Sequence, residues 1–273
     1  MAWSGVGTIM GNRNGTADAV ILDEFQQIKN LGITKIRMQP SVEVDSWVSW
    51  TKIAAGLAQQ VGLEILFGGS SSVTLTSDNW DTYADAIVDL AGWAAANNIT
   101  NFSIGNELEL LNGSGITDSQ LIDRLLLLAT AVKALNPSLI VHYQVSNGAE
   151  TQWVDLGDIN RLGLNIYGDD GSFSTFESRA TDFQTAHPVA GYISEFNIHF
   201  TWASVTTDEE KQMVEISRRY RVLRDLGFDR IYQFCWRYSN SSDDFSILRL
   251  DSSYRLFTNV IATDNGRPYF IRT

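Results

Sequence analysis

The chain has 273 residues, of which 44% are hydrophobic and 19% charged, so it can bury a large core of the kind found in single-domain α/β barrels. Its formal net charge of −12 repels nucleic acid and anionic membrane surfaces, and we therefore expect neither as a partner. A single cysteine, Cys235, excludes an intrachain disulfide, and together with only three histidines it argues against a metal centre built from these residues.

Residues 1–5 show neither the basic nor the apolar region of a signal peptide. No apolar run approaches the ~18 residues that a membrane-spanning helix needs. The sequence therefore predicts a soluble protein with no membrane association, and it indicates neither a cellular compartment nor an oligomeric state.

Strand-like and helix-like segments alternate along the whole chain. A first helix is predicted where Ile21, Phe25 and Ile28 fall on one face at helical spacing. A Thr-x-x-Gln capping box at Thr117 opens another helix, and a Thr-x-x-Glu box at Thr207 opens a long one. Further helices are predicted over 80–97 and 254–261, and strands over 3–8, 33–38, 63–67, 100–105, 139–145, 162–167, 189–194 and 230–236.

Glycine marks the boundary between a helix and the next strand at Gly32, Gly62 and Gly227. A glycine just past a helix end supplies the left-handed residue that turns the chain directly into a strand. The strands that follow are near-continuous apolar runs, which are typical of a parallel sheet buried on both faces.

Eight strand–helix units in a chain of this length predict an α/β fold of the (β/α)8 TIM-barrel type. We expect it to form one catalytic domain over residues 1–273. The alternative is an open doubly wound sheet. No Gly-x-Gly-x-x-Gly turn follows the first predicted strand, which argues against that alternative.

Polar and aromatic side chains stand at the predicted carboxyl ends of several strands, where barrel enzymes place catalytic residues. Glu107 follows Asn106 at the end of the fourth strand, and Glu195 ends the seventh strand in a segment of the same shape. Three other strands end in the runs Arg37-Met38-Gln39, Asn165-Ile166-Tyr167 and Phe234-Cys235-Trp236. Two carboxylates on different strands of one barrel rim are what the hydrolysis of a glycosidic bond requires.

In this pattern the chain resembles the retaining glycoside hydrolases of clan A, whose two catalytic glutamates lie on strands four and seven. The resemblance runs along the whole barrel, and it implies that Glu107 is the acid/base and Glu195 the nucleophile. The remaining matches to this pattern are Asn106, Arg37, Tyr167 and Trp236. The family implies a β-glycosidase that needs no cofactor and acts on an oligo- or polysaccharide, here a neutral β-glycan or β-linked oligosaccharide.

The chemistry gives each of these residues an expected role. Glu107 must be protonated when the sugar leaves and deprotonated when water enters, so burial and the neighbouring carboxylate should raise its pKa. Arg37 and the Tyr167 hydroxyl are expected to hold and orient Glu195. Asn106 is expected to donate to the sugar 2-hydroxyl, and Trp236 to form the floor beneath the ring. A retaining mechanism places the two carboxyl groups about 5–5.5 Å apart.

Plainer explanations stay open for individual residues. Either glutamate by itself is equally well explained as a solvated acid at a strand end, and Glu109 is a further acid two residues after Glu107. His142, inside the fifth strand, is typical of a hydrogen-bonded structural histidine, whereas His199 is a candidate for lining the cleft. The pair Asp169-Asp170 fits either a cation site or a solvated loop.

Two other functions also stay open. One is a catalytically inactive barrel that binds carbohydrate or serves as a structural module of a larger assembly. The other is a barrel enzyme of different chemistry, such as a metal-dependent lyase or an aldolase. It is disfavoured because Lys35 begins the second strand instead of ending it, and because no set of metal ligands is evident.

Overall fold

The computed structural model describes residues 6–11, 13, 15–113, 115–146, 148–167, 173–198, 209–236, 247 and 258–265. Asp169, Asp170, His199 and Thr207, which were considered above, lie outside these ranges. No helix within the same ranges is long and apolar enough to cross a membrane.

Eight parallel strands pair in sequence order and close into a barrel, with β1 next to β8. They are β1 (Val6–Ile9), β2 (Lys35–Met38), β3 (Glu64–Gly68), β4 (Asn101–Asn106), β5 (Ile140–Val145), β6 (Arg161–Tyr167), β7 (Gly191–Asn197) and β8 (Ile231–Gln233). The predicted (β/α)8 fold is therefore confirmed. β8 ends earlier than predicted because the N–H groups of Phe234 and Trp236 bond to the carbonyls of Phe196 and Ile9 outside the regular ladder.

Seven α-helices are present in the described ranges. They are α1 (Asp18–Asn30), α2 (Asp45–Val61), α3 (Trp80–Ala96), α4 (Asp118–Leu135), α5 (Phe173–Ala186), α6 (Glu209–Asp225) and α7 (Thr258–Asp264). Between β5 and β6 the described chain forms a 3₁₀ turn, Glu150–Gln152, where eight complete units would require a helix. The Gly157 N–H bonds to the Asp155 carboxylate at 2.9 Å, and such local turns compete with helical hydrogen bonding.

Residues predicted to cap helices do so at the start of α4 and after the ends of three helices. In α4, the Thr117 hydroxyl accepts from the Gln120 N–H at 3.3 Å, and the Gln120 side chain accepts from the Thr117 N–H at 2.9 Å. Gly32, Gly62 and Gly227 have φ values of +78°, +76° and +88°, a left-handed conformation that favours glycine. The capping box at Thr117 and the three glycine caps are thus confirmed.

Apolar side chains fill the layer between the barrel and its helices. Ile21, Phe25 and Ile28 of α1 are at most 1% exposed and belong to this layer, as their spacing predicts. The barrel interior is different, because buried polar side chains such as Arg37 and Gln144 project into it near the carboxyl ends of the strands. The fold therefore keeps a polar, hydrogen-bonded centre inside an apolar shell.

We predict that Thr117→Ala lowers the free energy of unfolding by about 1 kcal/mol, because the first turn of α4 loses the side-chain acceptor for one of its N–H groups. Thr117→Ser retains a hydroxyl and should stay within a few tenths of a kcal/mol of the wild type. Urea unfolding of the three proteins measures the difference. Equal losses in the alanine and serine variants would show that the cap contributes nothing.

Candidate active site

Backbone irregularities occur at the carboxyl ends of both strands that carry the candidate glutamates. The register between β4 and β5 shifts between Ser103 and Asn106, and β7 shifts against β6 next to Glu195. An extra residue in one strand lets neighbouring side chains face the same side, which strict alternation forbids. Ser194 and Glu195 accordingly both bond to groups inside the barrel. The bulges turn the site residues toward the barrel axis.

The Glu195 carboxylate is held by two donors from other strands. Arg37 Nη1 donates to Glu195 Oε1 at 2.9 Å, and the Tyr167 hydroxyl donates to Oε2 at 2.5 Å. Glu195 is 7% exposed and Arg37 is 3% exposed, so little water competes with this ion pair. Each oxygen of the carboxylate thus has a fixed partner and direction.

Arg37 also ties β2 to the other acid-bearing strand. Its Nη2 donates to Asn106 Oδ1 at 2.6 Å, its Nη1 donates to the Ser194 carbonyl at 2.8 Å, and its Nε donates to the Gln39 side chain. One guanidinium therefore contacts Glu195 of β7 and the residue immediately before Glu107 on β4.

Asn106 is oriented by two donors. Asn165 Nδ2 donates to Asn106 Oδ1 at 3.1 Å, in addition to the bond from Arg37, and Ser194 Oγ donates to Asn165 Oδ1 at 2.7 Å. Because both neighbours of Asn106 donate hydrogen bonds, its carbonyl oxygen faces them and its NH₂ group faces away. This half-buried amide is therefore available as a donor at the rim.

Glu107 has an uncommon backbone conformation for a residue with a side chain, φ +50° and ψ +37°. Its N–H donates to the Gln144 carbonyl on β5 at 2.8 Å, which anchors the residue at the top of the barrel. Non-glycine residues in the left-handed region cost free energy and persist where the surrounding structure over-determines them, often at functional sites.

The electrostatic environment of Glu107 favours its neutral form. The pKa of Glu107 is raised from 4.5 to about 7, mainly by burial and next by the nearby Glu195 carboxylate. A hydrogen bond from Asn165 and the charge of Arg37 act in the opposite direction. Burial likewise raises the pKa of Tyr167, with additional contributions from both Glu195 and Glu107. Glu195 therefore raises the pKa of Glu107, and both carboxylates raise the pKa of their shared neighbour Tyr167.

The structure brings five of the six sequence-predicted residues together, namely Glu107, Glu195, Arg37, Asn106 and Tyr167. It does not support the sugar-floor role expected of Trp236. That side chain has 0% exposure and packs in the main hydrophobic core, so it has no ring face to offer a ligand. Strand periodicity alone does not reveal this, because β8 ends before Trp236.

Phe234 is the half-buried aromatic residue from the same segment. Its ring lies edge to face with Tyr167 at a centroid distance of 6.2 Å. Its backbone is fixed on both sides, because its N–H donates to the Phe196 carbonyl at 3.0 Å and its carbonyl accepts from the Asn197 side chain. Phe234 therefore presents an aromatic ring next to the residue that holds Glu195.

A polar network behind the site was missed by the sequence reasoning. Gln39 Nε2 donates to Ser103 Oγ at 2.6 Å and to Gln144 Oε1 at 2.8 Å, and Gln144 Nε2 donates to the Tyr192 hydroxyl at 2.7 Å. With the bond from Arg37 to Gln39, this network runs from Glu195 into the barrel centre. The sequence feature that could have predicted this network is the polar residues, such as Ser103 and Gln144, within otherwise apolar strands.

The other candidates have structural partners. His142 is fully buried, and its Nε2 lies 3.1 Å from Asn101 Oδ1, in agreement with the expected structural histidine. Glu109 accepts from the Tyr143 hydroxyl at 2.5 Å and from the Ser146 N–H. Among the residues that the structure describes, no group of three or more His, Cys, Asp or Glu side chains could hold a metal ion.

No protein-family model matches the sequence, and no curated protein matches it. Solved structures of the same fold are found, and several glycoside hydrolases are among them. A GH113 β-1,4-mannanase gives a TM-score of 0.76 at 10% identity, covering 97% of this chain and 99% of its own. The exo-β-1,4-mannosidase Op5Man5 from Opitutaceae bacterium strain TAV5 gives 0.73 at 11% identity and covers 97% of this chain. A β-D-glucuronidase of Dictyoglomus thermophilum gives 0.69 at 13% identity over 100% of this chain.

The chain spans only part of several of these proteins, 61% of the mannosidase and 52% of the glucuronidase from D. thermophilum, against 99% of the mannanase. At these identities the likeness establishes the fold alone. The resemblance to barrel glycoside hydrolases noted in the sequence is confirmed at that level, and the activity must be argued from the site.

The raised pKa of Glu107 predicts a pH-dependent stability difference. Because its folded pKa of about 7 exceeds the ordinary value of 4.5, the stability that the protonated side chain contributes is fully present below pH 4.5 and is lost as pH rises through 7. Glu107→Gln, which stays neutral, should therefore gain about 2 kcal/mol relative to wild type between pH 5 and pH 8.

Glu43→Gln is the matched control for this measurement. Hydrogen bonds from Ser41 and Ser71 lower the pKa of Glu43 despite the opposing effect of burial, so its window lies below pH 4.5. Urea unfolding at pH 5 and pH 8 should show a constant difference between Glu43→Gln and wild type. A constant difference for Glu107→Gln as well would contradict the raised pKa.

Proposed function

We propose that this chain is a retaining glycoside hydrolase that cleaves β-glycosidic bonds by double displacement, with Glu107 as acid/base and Glu195 as nucleophile. One observation carries the proposal, which is that two carboxyl groups close enough to interact electrostatically have different surroundings, one favouring the neutral acid and the other pairing the carboxylate with a cation. Glu107 is half-buried with a pKa raised to about 7, whereas Glu195 is paired with Arg37 and Tyr167. Pairs of acids whose environments differ in this way divide the acid and nucleophile roles between them.

In the first step, the ionised Glu195 attacks the anomeric carbon and the bond to the leaving oxygen breaks. Glu107 transfers its proton to that oxygen, so the leaving group departs as a neutral alcohol and Glu107 becomes a carboxylate. In the second step, Glu107 removes a proton from water, whose oxygen displaces Glu195 from the anomeric carbon. Both residues return to their initial protonation states, and the configuration at the anomeric carbon is retained.

The neighbouring residues support these steps in the proposal. The bonds from Arg37 and Tyr167 orient the two Glu195 oxygens toward the substrate, and Arg37 balances the negative charge when Glu195 leaves the sugar. The outward NH₂ group of Asn106 donates to the sugar 2-hydroxyl, a contact that strengthens in the oxocarbenium-like transition state. Phe234 replaces Trp236 as the aromatic surface against the ring.

The substrate proposed for this site is a neutral β-glycan or β-linked oligosaccharide. The guanidinium of Arg37 already bonds to Glu195, Asn106 and Gln39, so it is committed and does not provide a free charge for a substrate carboxylate. The solved mannanase, 99% of whose chain is covered by this one, is a neutral-glycan enzyme by its name and supports the same class. We propose that residues 1–273 form a single catalytic barrel.

Hydrolysis of a panel of aryl β-glycosides and β-glycans by wild type, Glu107→Gln and Glu195→Gln tests the proposal. Each variant should lose more than roughly a hundredfold in kcat/KM, since each lacks a group that acts in the transition state. The product anomer, followed by proton NMR, should initially retain the β configuration. A 2-deoxy-2-fluoro glycoside should label Glu195, which mass spectrometry of peptides locates.

Two outcomes would remove the proposal. Activity that survives Glu195→Gln would rule out this residue as nucleophile, and inversion at the anomeric carbon would rule out double displacement. Binding of β-glycans by calorimetry without turnover of any substrate would instead favour the catalytically inactive barrel.

We expect Phe234→Ala to raise KM for aryl β-glycosides roughly fivefold, because stacking of a ring on a sugar face contributes on the order of 1 kcal/mol. Trp236→Phe is the comparison, since it alters a fully buried side chain and should lower the melting temperature with little change in KM. Steady-state kinetics and thermal unfolding of both variants distinguish the two positions. The reverse pattern would reassign the aromatic surface to Trp236.

A further inference from the structure

The turn that follows Glu107 is attached to β5 through one carboxylate. Residues Leu108–Leu110 form a 3₁₀ turn directly after Glu107, and the Leu110 N–H donates to the Glu107 carbonyl at 3.0 Å. Within this turn, Glu109 Oε2 accepts from the Tyr143 hydroxyl at 2.5 Å, and Glu109 Oε1 accepts from the Ser146 N–H. Both donors belong to β5 or the residue just after it.

Tyr143 joins the same arrangement from the other side. Its hydroxyl accepts from the Leu108 N–H at 3.1 Å while it donates to Glu109, so one buried group contacts two residues of the turn. The side chain has 0% exposure, and burial together with Glu109 raises the pKa of Tyr143, which keeps the hydroxyl protonated. These bonds hold the turn against β5 at defined points.

This attachment matters because Glu107 lies in a left-handed conformation that its side chain disfavours. In the absence of restraints, such a residue would return to the commoner β or right-handed regions and redirect its side chain. The bond from the Glu107 N–H to the Gln144 carbonyl fixes one end of the residue. The Glu109–Tyr143 pair fixes the turn that follows it, so the two together define the direction of the Glu107 side chain.

Glu109 has a second effect that a neutral side chain would not have. Its carboxylate is one of the charges that raise the pKa of Glu107, after burial and Glu195. A carboxylate also accepts bonds at both oxygens, which suits the two donors from Tyr143 and Ser146.

We propose that Glu109, together with Tyr143, is a positioning residue that holds Glu107 in the orientation required for proton donation to the leaving oxygen. The inference rests on the proposed function, because it assigns a role relative to the acid/base. Misplacement of a catalytic group by about 1 Å can cost on the order of a hundredfold in rate. The loss should be confined to reactions that need the proton.

Leaving-group dependence separates positioning from a general loss of structure. A dinitrophenyl glycoside departs without a proton, whereas a phenyl glycoside needs one. Glu109→Gln and Tyr143→Phe should each lose roughly tenfold to a hundredfold in kcat/KM on phenyl β-glycosides and less than about threefold on dinitrophenyl β-glycosides. The sugar used is the one that wild type hydrolyses fastest.

Glu43→Gln serves as the matched control on the same rim. The Glu43 carboxylate also accepts two hydroxyl bonds, from Ser41 and Ser71 at 2.5 Å each, but it lies on the β2–α2 connection and is not among the groups that shift the pKa of Glu107. Glu43→Gln should change the two substrates by the same factor. Melting temperatures of all variants show whether a rate loss reflects unfolding.

Titration gives a readout that does not need turnover. With ¹³C-labelled glutamate side chains, the Glu107 resonance, identified by its absence in Glu107→Gln, should titrate near pH 7 in wild type. The midpoint should fall in Glu109→Gln, which removes a negative charge, and the basic limb of the pH profile of kcat/KM should move down with it. Tyr143→Phe keeps that charge and should shift the midpoint less.

With an active wild type, equal losses on both leaving groups would overturn the positioning role while leaving the glycosidase proposal in place. An unmoved midpoint in Glu109→Gln would overturn the charge effect of Glu109 on Glu107. If wild type turns over no glycoside, the proposed function fails, and the positioning role that rests on it fails with it. Should Glu109→Gln fail to fold, the leaving-group comparison in Tyr143→Phe decides.

Discussion

A single buried guanidinium organises the candidate site. Arg37 is 3% exposed, and a charge in such an environment must be paired and hydrogen-bonded to be tolerated. Its guanidinium donates to Glu195 Oε1 on β7 at 2.9 Å and to Asn106 Oδ1 on β4 at 2.6 Å. The need of Arg37 for these hydrogen bonds therefore holds the ends of β4 and β7 close to each other. This constraint fixes Glu195 directly and places Asn106, the residue before Glu107, beside it.

Regular barrel geometry would not deliver these side chains. Alternation along a strand sends neighbours to opposite faces, yet Ser194 and Glu195 both contact groups inside the barrel. A bulge in β7 and another in β4 solve the problem, and the left-handed backbone of Glu107 completes it. Each of these features replaces regular strand pairing or a favourable backbone conformation with a less stable one. Such a cost in stability is expected where a protein maintains a functional site.

The two acids differ because their surroundings differ, although they belong to the same residue type. Glu195 has a cation and a hydroxyl on its two oxygens, whereas Glu107 is half-buried beside other carboxylates, and its pKa rises to about 7. Glu109, in contrast, is fully engaged with β5 and acts on Glu107 through the backbone and through its charge. The polar network of Gln39, Ser103 and Gln144 holds Arg37 in place from within the barrel. The apolar layer between the barrel and its helices stabilises the fold.

The sequence by itself determined the barrel, the order of its strands, the glycine caps and the threonine cap of α4, because these depend on local periodicity and on residue type at the ends of the elements. The choice of Glu107 and Glu195 as the catalytic pair also came from residue type at strand ends, and it stays a prediction. The sequence did not determine the bulges, the conformation of Glu107 or the position of Trp236 in the core. Those features arise from contacts between residues distant in the chain, such as Arg37 with Glu195, and local patterns carry no information about such contacts. Only the closed barrel decided which side chains share the site.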